Sequence, residues 1–204
     1  MESIMIINGS PRAPKSNSKQ YAELFSKSCK VKTEYFQITR TNHLELCRAV
    51  EQFSDLLFVF PLYADGIPVT LLNFLKALEI HAPQRKPVIS VLINCGFLEP
   101  HQNDIAVQMI RLYCKQNGYS FGSVLKIGSG EAILTTPFRF LAVRKIKQLA
   151  SSICSTKYRT LKVTMPISKK FFLKASSSYW LRYGERNGVT KEEMETMQIE
   201  GDSI

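Results

Sequence analysis

The chain has 204 residues, of which 45% are hydrophobic and 22% charged, and carries a formal net charge of +10. A chain of this length buries a full core, and this composition excludes a disordered or fibrous protein. No stretch reaches the roughly 20 consecutive apolar residues of a membrane span, and the early Glu2 with no small-residue cleavage pattern excludes a secretory signal.

Short β-branched and apolar runs alternate with longer amphipathic segments, the pattern of parallel strands covered on both faces by crossover helices. The first strand is expected at Ile4 to Asn8, followed by a helix over Ser18 to Ser28. A strand over Lys32 to Ile38 and a helix over Leu44 to Phe53 come next, then the strand Leu56 to Phe60 and the helix Val69 to Ile80 behind Pro68. The fourth strand, Val88 to Asn94, precedes a helix over Asp104 to Asn117 stopped at Gly118, and the fifth, Ser123 to Ile127, precedes a helix over Phe138 to Cys154. Pro68 suits a first helical turn and Asn117-Gly118 a helix stop.

The expected fold class is therefore α/β, a doubly wound five-stranded parallel sheet with helices on both faces. Nothing divides the chain, so residues 1–204 read as one domain with a core over about 1–155 and a helical extension over about 163–204. In that extension Ser168 to Arg186 reads as an aromatic-rich helix, and Thr190-Lys191-Glu192-Glu193 as the capping sequence of a short last helix. The aromatics of the long helix read as core or subunit contact.

The five cysteines (Cys29, Cys47, Cys95, Cys114, Cys154) are scattered and odd in number, which suits free thiols in the cytoplasm, and no Cys-x-x-Cys supports a metal centre. Eleven basic residues and no acidic one lie between Ala132 and Gly184. Such a surface suits a phosphorylated ligand, anionic lipid, nucleic acid or simple solvation.

In an open parallel sheet, ligands sit beyond the carboxyl ends of the strands. After the first strand comes Asn8-Gly9-Ser10-Pro11-Arg12-Ala13-Pro14-Lys15-Ser16-Asn17-Ser18. Gly9 permits a sharp turn, the hydroxyls of Ser10, Ser16 and Ser18 are donors, Arg12 is a charged fork, and the amides opening the helix at Asn17 and Ser18 suit an anion. The loop lacks the glycine spacing of a P-loop or of G-x-G-x-x-G. After the third strand runs Pro61-Leu62-Tyr63-Ala64-Asp65-Gly66-Ile67-Pro68, and after the fourth Asn94-Cys95-Gly96-Phe97-Leu98-Glu99.

The first of these loops resembles the FMN phosphate loop of the NAD(P)H-dependent FMN reductase and flavodoxin-like oxidoreductase families, and the second resembles their second flavin loop, with its Pro-x-Tyr and Ile-Pro elements. The likeness runs over about residues 4–155. It implies a flavodoxin-like fold and FMN as cofactor, with Ser10, Arg12, Ser16, Asn17 and Ser18 at the phosphate. It further implies Pro61, Leu62, Tyr63 and Ala64 at the ring, with Gly66 allowing close backbone approach. The third loop is similar to the segment flanking the ring in these families, which implies contacts from Asn94, Cys95, Gly96 and Glu99.

No catalytic side chain is expected if the flavin does the chemistry, and His43, His81 and His101 form no triad or metal spacing. The function so implied is transfer from NADH or NADPH, through FMN, to a small-molecule acceptor such as a quinone, free flavin, nitro or azo compound. A homodimer is implied by the same resemblance. The competing readings are an FMN-binding electron carrier of the flavodoxin kind that makes no use of NAD(P)H, and a flavin-free interaction or nucleic-acid-binding protein. The first is disfavoured because such carriers are typically acidic, and the second because no RNA-module motif is present.

Overall fold

The computed structural model describes residues 3–12 and 15–196. Within Met1–Met165, the first of two compact units, six parallel strands form one sheet in the order β2-β1-β3-β4-β5-β6. The strands are β1 (Ser3–Asn8), β2 (Lys32–Gln37), β3 (Asp55–Pro61), β4 (Val88–Asn94), β5 (Phe121–Ile127) and β6 (Thr160–Val163). Helices α1 (Asn17–Ser26), α2 (His43–Val50), α3 (Val69–Ile80), α4 (Asp104–Asn117) and α5 (Arg139–Cys154) connect them. The chain is α/β and doubly wound, and the order 2-1-3-4-5 is the flavodoxin-like one.

The central strands are buried because both faces are covered. Met5 and Ile7 of β1 face one layer with Phe58 and Phe60 of β3 and Val91 and Ile93 of β4, packed with α2, α3 and α4 through Leu46, Phe74 and Ile110. Ile4, Ile6, Leu57 and Leu92 alternate with these and are equally buried. On that second side α1 and α5, which pack on each other, bury Tyr21, Phe25, Ile146 and Leu149. Period-two alternation within strands that are apolar throughout is what a parallel sheet with two covered faces demands.

The expectation of five strands is corrected to six. Thr160–Val163 pairs in parallel with β5 in the register Val124↔Thr160 to Ile127↔Val163. It escapes sequence reading because it has four residues, lies at the sheet edge, and carries Lys162 in an exposed position, a charge of the kind that blunts edge strands.

Register brings the strand ends together. Asn8 lies beside Val59, Pro61 beside Asn94, and Asn94 beside Ile127. The ladder continues past the strands, since the Gly9 amide donates to the Val59 carbonyl at 3.0 Å and the Leu62 amide to that of Asn94 at 2.7 Å. A Cβ on Gly9 would stand 3.0 Å from the Leu71 Cβ, which explains a glycine where α3 crosses the end of β1.

The second unit, Pro166–Ile204, contains α6 (Lys169–Arg186), capped by Ser168, and α7 (Lys191–Glu195), opened by a complete capping box between Thr190 and Glu193. Its aromatics are not core: Phe171, Tyr179, Trp180 and Tyr183 are exposed, and the last three form a ring cluster with centroids 5.2 to 6.2 Å apart.

Phe58 is fully buried and meets Phe74 edge to face at 6.2 Å. We expect Phe58→Ala to cost about 3–5 kcal/mol of stability, read as a lower urea midpoint with an unchanged slope.

Candidate functional site

Between β1 and β3 the sheet connections diverge, α1 passing to one face and α3 to the other, and a crevice opens at the strands' carboxyl ends. It is a cleft of about 530 Å³ lined by Ser10, Arg12, Ser16, Asn17 and Ser18 from the first loop, Pro61, Leu62 and Tyr63 from the second, and Asn94 from the third. Nine of the residues singled out in the sequence thus meet in one place. Pro11, Lys15, Lys19, Gln20, Glu23 and Glu131 complete the lining. Ala13 and Pro14 of the first loop lie outside the described residues.

The first loop is organised by Asn8, which is buried. Its Oδ1 accepts from the Ser10 amide at 2.9 Å, an Asx-type turn that folds the chain back at the end of β1. Its Nδ2 donates to the Tyr35 hydroxyl at 2.9 Å and to Ser16 Oγ at 3.4 Å. One amide side chain therefore fixes both ends of the loop against β2.

Ser16 caps α1, its Oγ accepting from the Lys19 amide at 3.2 Å, and no acidic residue occupies the first turn. Ser10 Oγ accepts from the Arg12 amide at 3.3 Å, and Ser18 Oγ accepts from Asn94 Nδ2 at 3.2 Å. Among the described residues all three hydroxyls act as acceptors, and each keeps its own hydrogen for a further partner. Together with the first-turn amides of α1, which have no carbonyl within the helix, and the cationic Arg12, Lys15 and Lys19, they give one end of the cleft the donors and positive charge that suit an anion.

The other end is apolar. Pro61 and Leu62 leave β3 at the cleft, and Tyr63 stands at its rim, 57% exposed. Tyr63 and Gly66 exchange backbone hydrogen bonds of 3.1 and 3.0 Å around Ala64 and Asp65, whose φ angles are 46° and 57°. This is a tight two-residue turn with both central residues left-handed, and it holds Tyr63 at a set height. Ala64 and Gly66 serve the turn and are not in the cleft lining. A Cβ on Gly66 would come no nearer than 3.6 Å to any neighbour, with Met109 Sδ the first it meets, so crowding does not require a glycine there.

The third loop contributes differently from its neighbours. Asn94 is buried and its Nδ2 also donates to the Phe60 carbonyl at 3.2 Å, so the side chain bolts α1 to β3 beneath the cleft. Gly130 is required beside it, because a Cβ there would come within 2.8 Å of the Asn94 Cβ. The Gly130 carbonyl accepts from the buried Tyr21 hydroxyl at 2.8 Å, which binds the middle of α1 to the loop after β5. Burial raises the Tyr21 hydroxyl well above its usual range.

Cys95 turns inward: its sulfur accepts from Asn103 Nδ2 at 3.3 Å, and burial pushes its thiol up. Gly96 is exposed, and a Cβ there would face the Glu131 carboxylate at 3.8 Å. Glu99 sits further along this loop, and neither it, Cys95 nor Gly96 lines the cleft. Asn8 and Glu131 escaped sequence reading as site residues. The density of polar residues after β1 pointed to Asn8, whereas nothing local marks Glu131, which arrives through the pairing of β5 with β4.

Strand order, crossover pattern and the position of the cleft define a protein of the flavodoxin-like fold. In structure the chain is similar to the NAD(P)H:quinone oxidoreductase from Methanothermobacter marburgensis, with a TM-score of 0.59, 13% identity, and coverage of 74% of this chain and 95% of that one. It is similar to an FMN-dependent NADH-azoreductase from Bacillus anthracis solved in complex with FMN, with a TM-score of 0.55, 15% identity, and coverage of 75% and 99%. It is also similar to rubredoxin oxygen:oxidoreductase from Desulfovibrio gigas, with a TM-score of 0.60 and 11% identity over 76% of this chain, but it spans only 36% of that protein. No protein-family model matches the chain, and no curated protein matches it in sequence.

Two substitutions test the role given to Asn8. Asn8→Ala leaves the Ser10 amide and the Tyr35 hydroxyl without their partner and should cost about 1–3 kcal/mol in chemical denaturation. Asn8→Asp keeps the acceptor for the Ser10 amide, loses both donations and adds a negative charge to the anion site. It should retain more stability than Asn8→Ala and bind inorganic phosphate or FMN more weakly.

Proposed function

We propose that the chain is an FMN-dependent NAD(P)H oxidoreductase that passes electrons to a small acceptor of the quinone, flavin, nitro or azo type. The observation that supports it most is the polarity of the cleft, with an anion site at the head of α1 and an apolar, aromatic-rimmed wall at Pro61–Tyr63, both at the β1/β3 switch point of a flavodoxin-like sheet. The two neighbours whose names carry NAD(P)H:quinone and FMN-dependent azoreductase activities have the same fold.

The donor set fits FMN. A phosphate dianion needs several N–H and O–H donors and balancing cations, and the Ser10–Ser18 loop has three hydroxyls with free hydrogens, first-turn amides and Arg12. A flat, amphipathic ring needs an apolar wall and polar groups along one edge. Pro61, Leu62 and Tyr63 supply the wall, with Ala64 and Gly66 shaping their turn. Of the third loop Asn94 reaches the cleft, and the backbone that continues through Cys95 and Gly96 toward Glu99 would supply the partners of the ring's pyrimidine edge. Bound FMN would supply the hydride-accepting centre. The chain's part is to bind and orient it: Arg12 and the α1 head hold the phosphate, Asn94 holds the three loops in register, and Tyr63 limits water at the open rim.

The free cysteines suit a cytoplasmic address, and the exposed aromatics of α6 suit self-association into a homodimer.

Anaerobic mixing of the FMN-loaded protein with NADH or NADPH should bleach its visible band with at least one nucleotide. A yellow protein that neither nucleotide bleaches would contradict the activity while leaving the cofactor in place. Arg12→Ala should weaken FMN binding by roughly tenfold or more, the loss expected for a charge-assisted hydrogen bond.

A further inference from the structure

At the end of the sheet away from the cleft, two helix ends bring together a pair of thiols with no part in the function proposed above. Helix α1 starts at the cleft and runs back along the sheet, so that Cys29 lies beyond its last turn, just before β2. Cys154 is the last residue of α5, shortly before β6. Their sulfurs are 3.5 Å apart across 125 positions of sequence. Both side chains are partly exposed, whereas Cys47, Cys95 and Cys114 are buried.

We propose that Cys29 and Cys154 are a redox-modification site, closing to a reversible intrachain disulfide that ties α1 to α5. The sulfurs need to approach by roughly 1.5 Å to reach the bonding distance of about 2.05 Å. The two helices already pack against each other, so no element has to be displaced. Partial exposure gives a small oxidant access, which the three buried thiols lack.

With hydrogen peroxide as oxidant, the Cys154 sulfur gives up its proton and attacks one peroxide oxygen, and the O–O bond breaks. The departing oxygen leaves as water, and Cys154 becomes a sulfenic acid. The Cys29 sulfur then attacks the oxidised sulfur, the S–O bond breaks, and a second water leaves. In sum two thiols and one peroxide give one disulfide and two waters, both sulfurs being oxidised and the peroxide reduced. Burial, and after it the hydrogen bond with the Cys154 sulfur, push the Cys29 thiol up to about 12, so Cys29 keeps its proton until it meets the oxidised sulfur. That sets the order of the two attacks. A small dithiol reverses the bond by exchange.

The test is peroxide titration of the full chain, followed by alkylation and peptide mapping without reduction. The expected result is a monomer lighter by two hydrogens in which the peptides bearing Cys29 and Cys154 are linked, restored by dithiothreitol. The oxidised form should melt several degrees higher, because the bond closes a long loop of the unfolded chain. In Cys29→Ser, a sulfenic acid trapped by dimedone should accumulate on Cys154. In Cys154→Ser, no linked peptide should form. Recovery of both cysteines as alkylated thiols after peroxide, linkage to a different cysteine, or linkage only between two chains would overturn the proposal. None of these readouts depends on flavin or nucleotide, so they stand or fall apart from the oxidoreductase reading.

Discussion

The head of α1 sets the terms for everything around the cleft. A helix begins with amides that no carbonyl of its own can satisfy, and here that beginning is placed at the carboxyl end of β1, beside the switch point of the sheet. The chain satisfies one amide with Ser16 Oγ and leaves the first turn without an acidic side chain. Asn8 and Asn94 then spend their Nδ2 hydrogens on the oxygens of Ser16 and Ser18, which leaves those hydroxyl hydrogens for a further partner. The result is a site whose hydrogen-bonding capacity is unbalanced in one direction, toward an anion.

The surrounding charge modulates that site without cancelling it. Arg12, Lys15 and Lys19 line the cleft together with Glu23 and Glu131. The two carboxylates come from the face of α1 and from the loop after β5, away from the helix head. Glu131 instead stands opposite Gly96, next to the loop assigned to the ring. A dianion seated at Ser10–Ser18 and an uncharged ring reaching toward Pro61–Tyr63 agree with this distribution, and a ligand carrying anionic charge at both ends does not.

Much of this was legible in the sequence because parallel strands with two covered faces leave a strong signature. The runs Leu56–Phe60 and Val88–Asn94 were read to within a residue or two of their observed limits, and the same holds for α3 and α4, which have distinct stops or starts. Thr160–Val163 was not legible, since a four-residue edge strand half in water has no hydrophobic run to show. In the site, polar residues packed behind a buried strand pointed to the first loop, and nine of the residues named from sequence line the cleft. What sequence could not convey was which of them face the cleft and which hold it. Asn94 and Asn8 act through bonds to partners 76 and 27 positions away, and Ala64 and Gly66 act through a turn whose geometry depends on two left-handed residues that are not glycine.

The claim on which the account rests is that the Ser10–Ser18 loop recognises a phosphate dianion. The most direct measurement compares FMN with riboflavin, which has the same ring and side chain without the phosphate, by titrating each into the protein and following quenching of flavin fluorescence. The account predicts FMN binding tighter by at least about a hundredfold, the equivalent of roughly 2.7 kcal/mol, with the difference shrinking in Arg12→Ala. Equal affinity for the two flavins, or no binding of either, would contradict it.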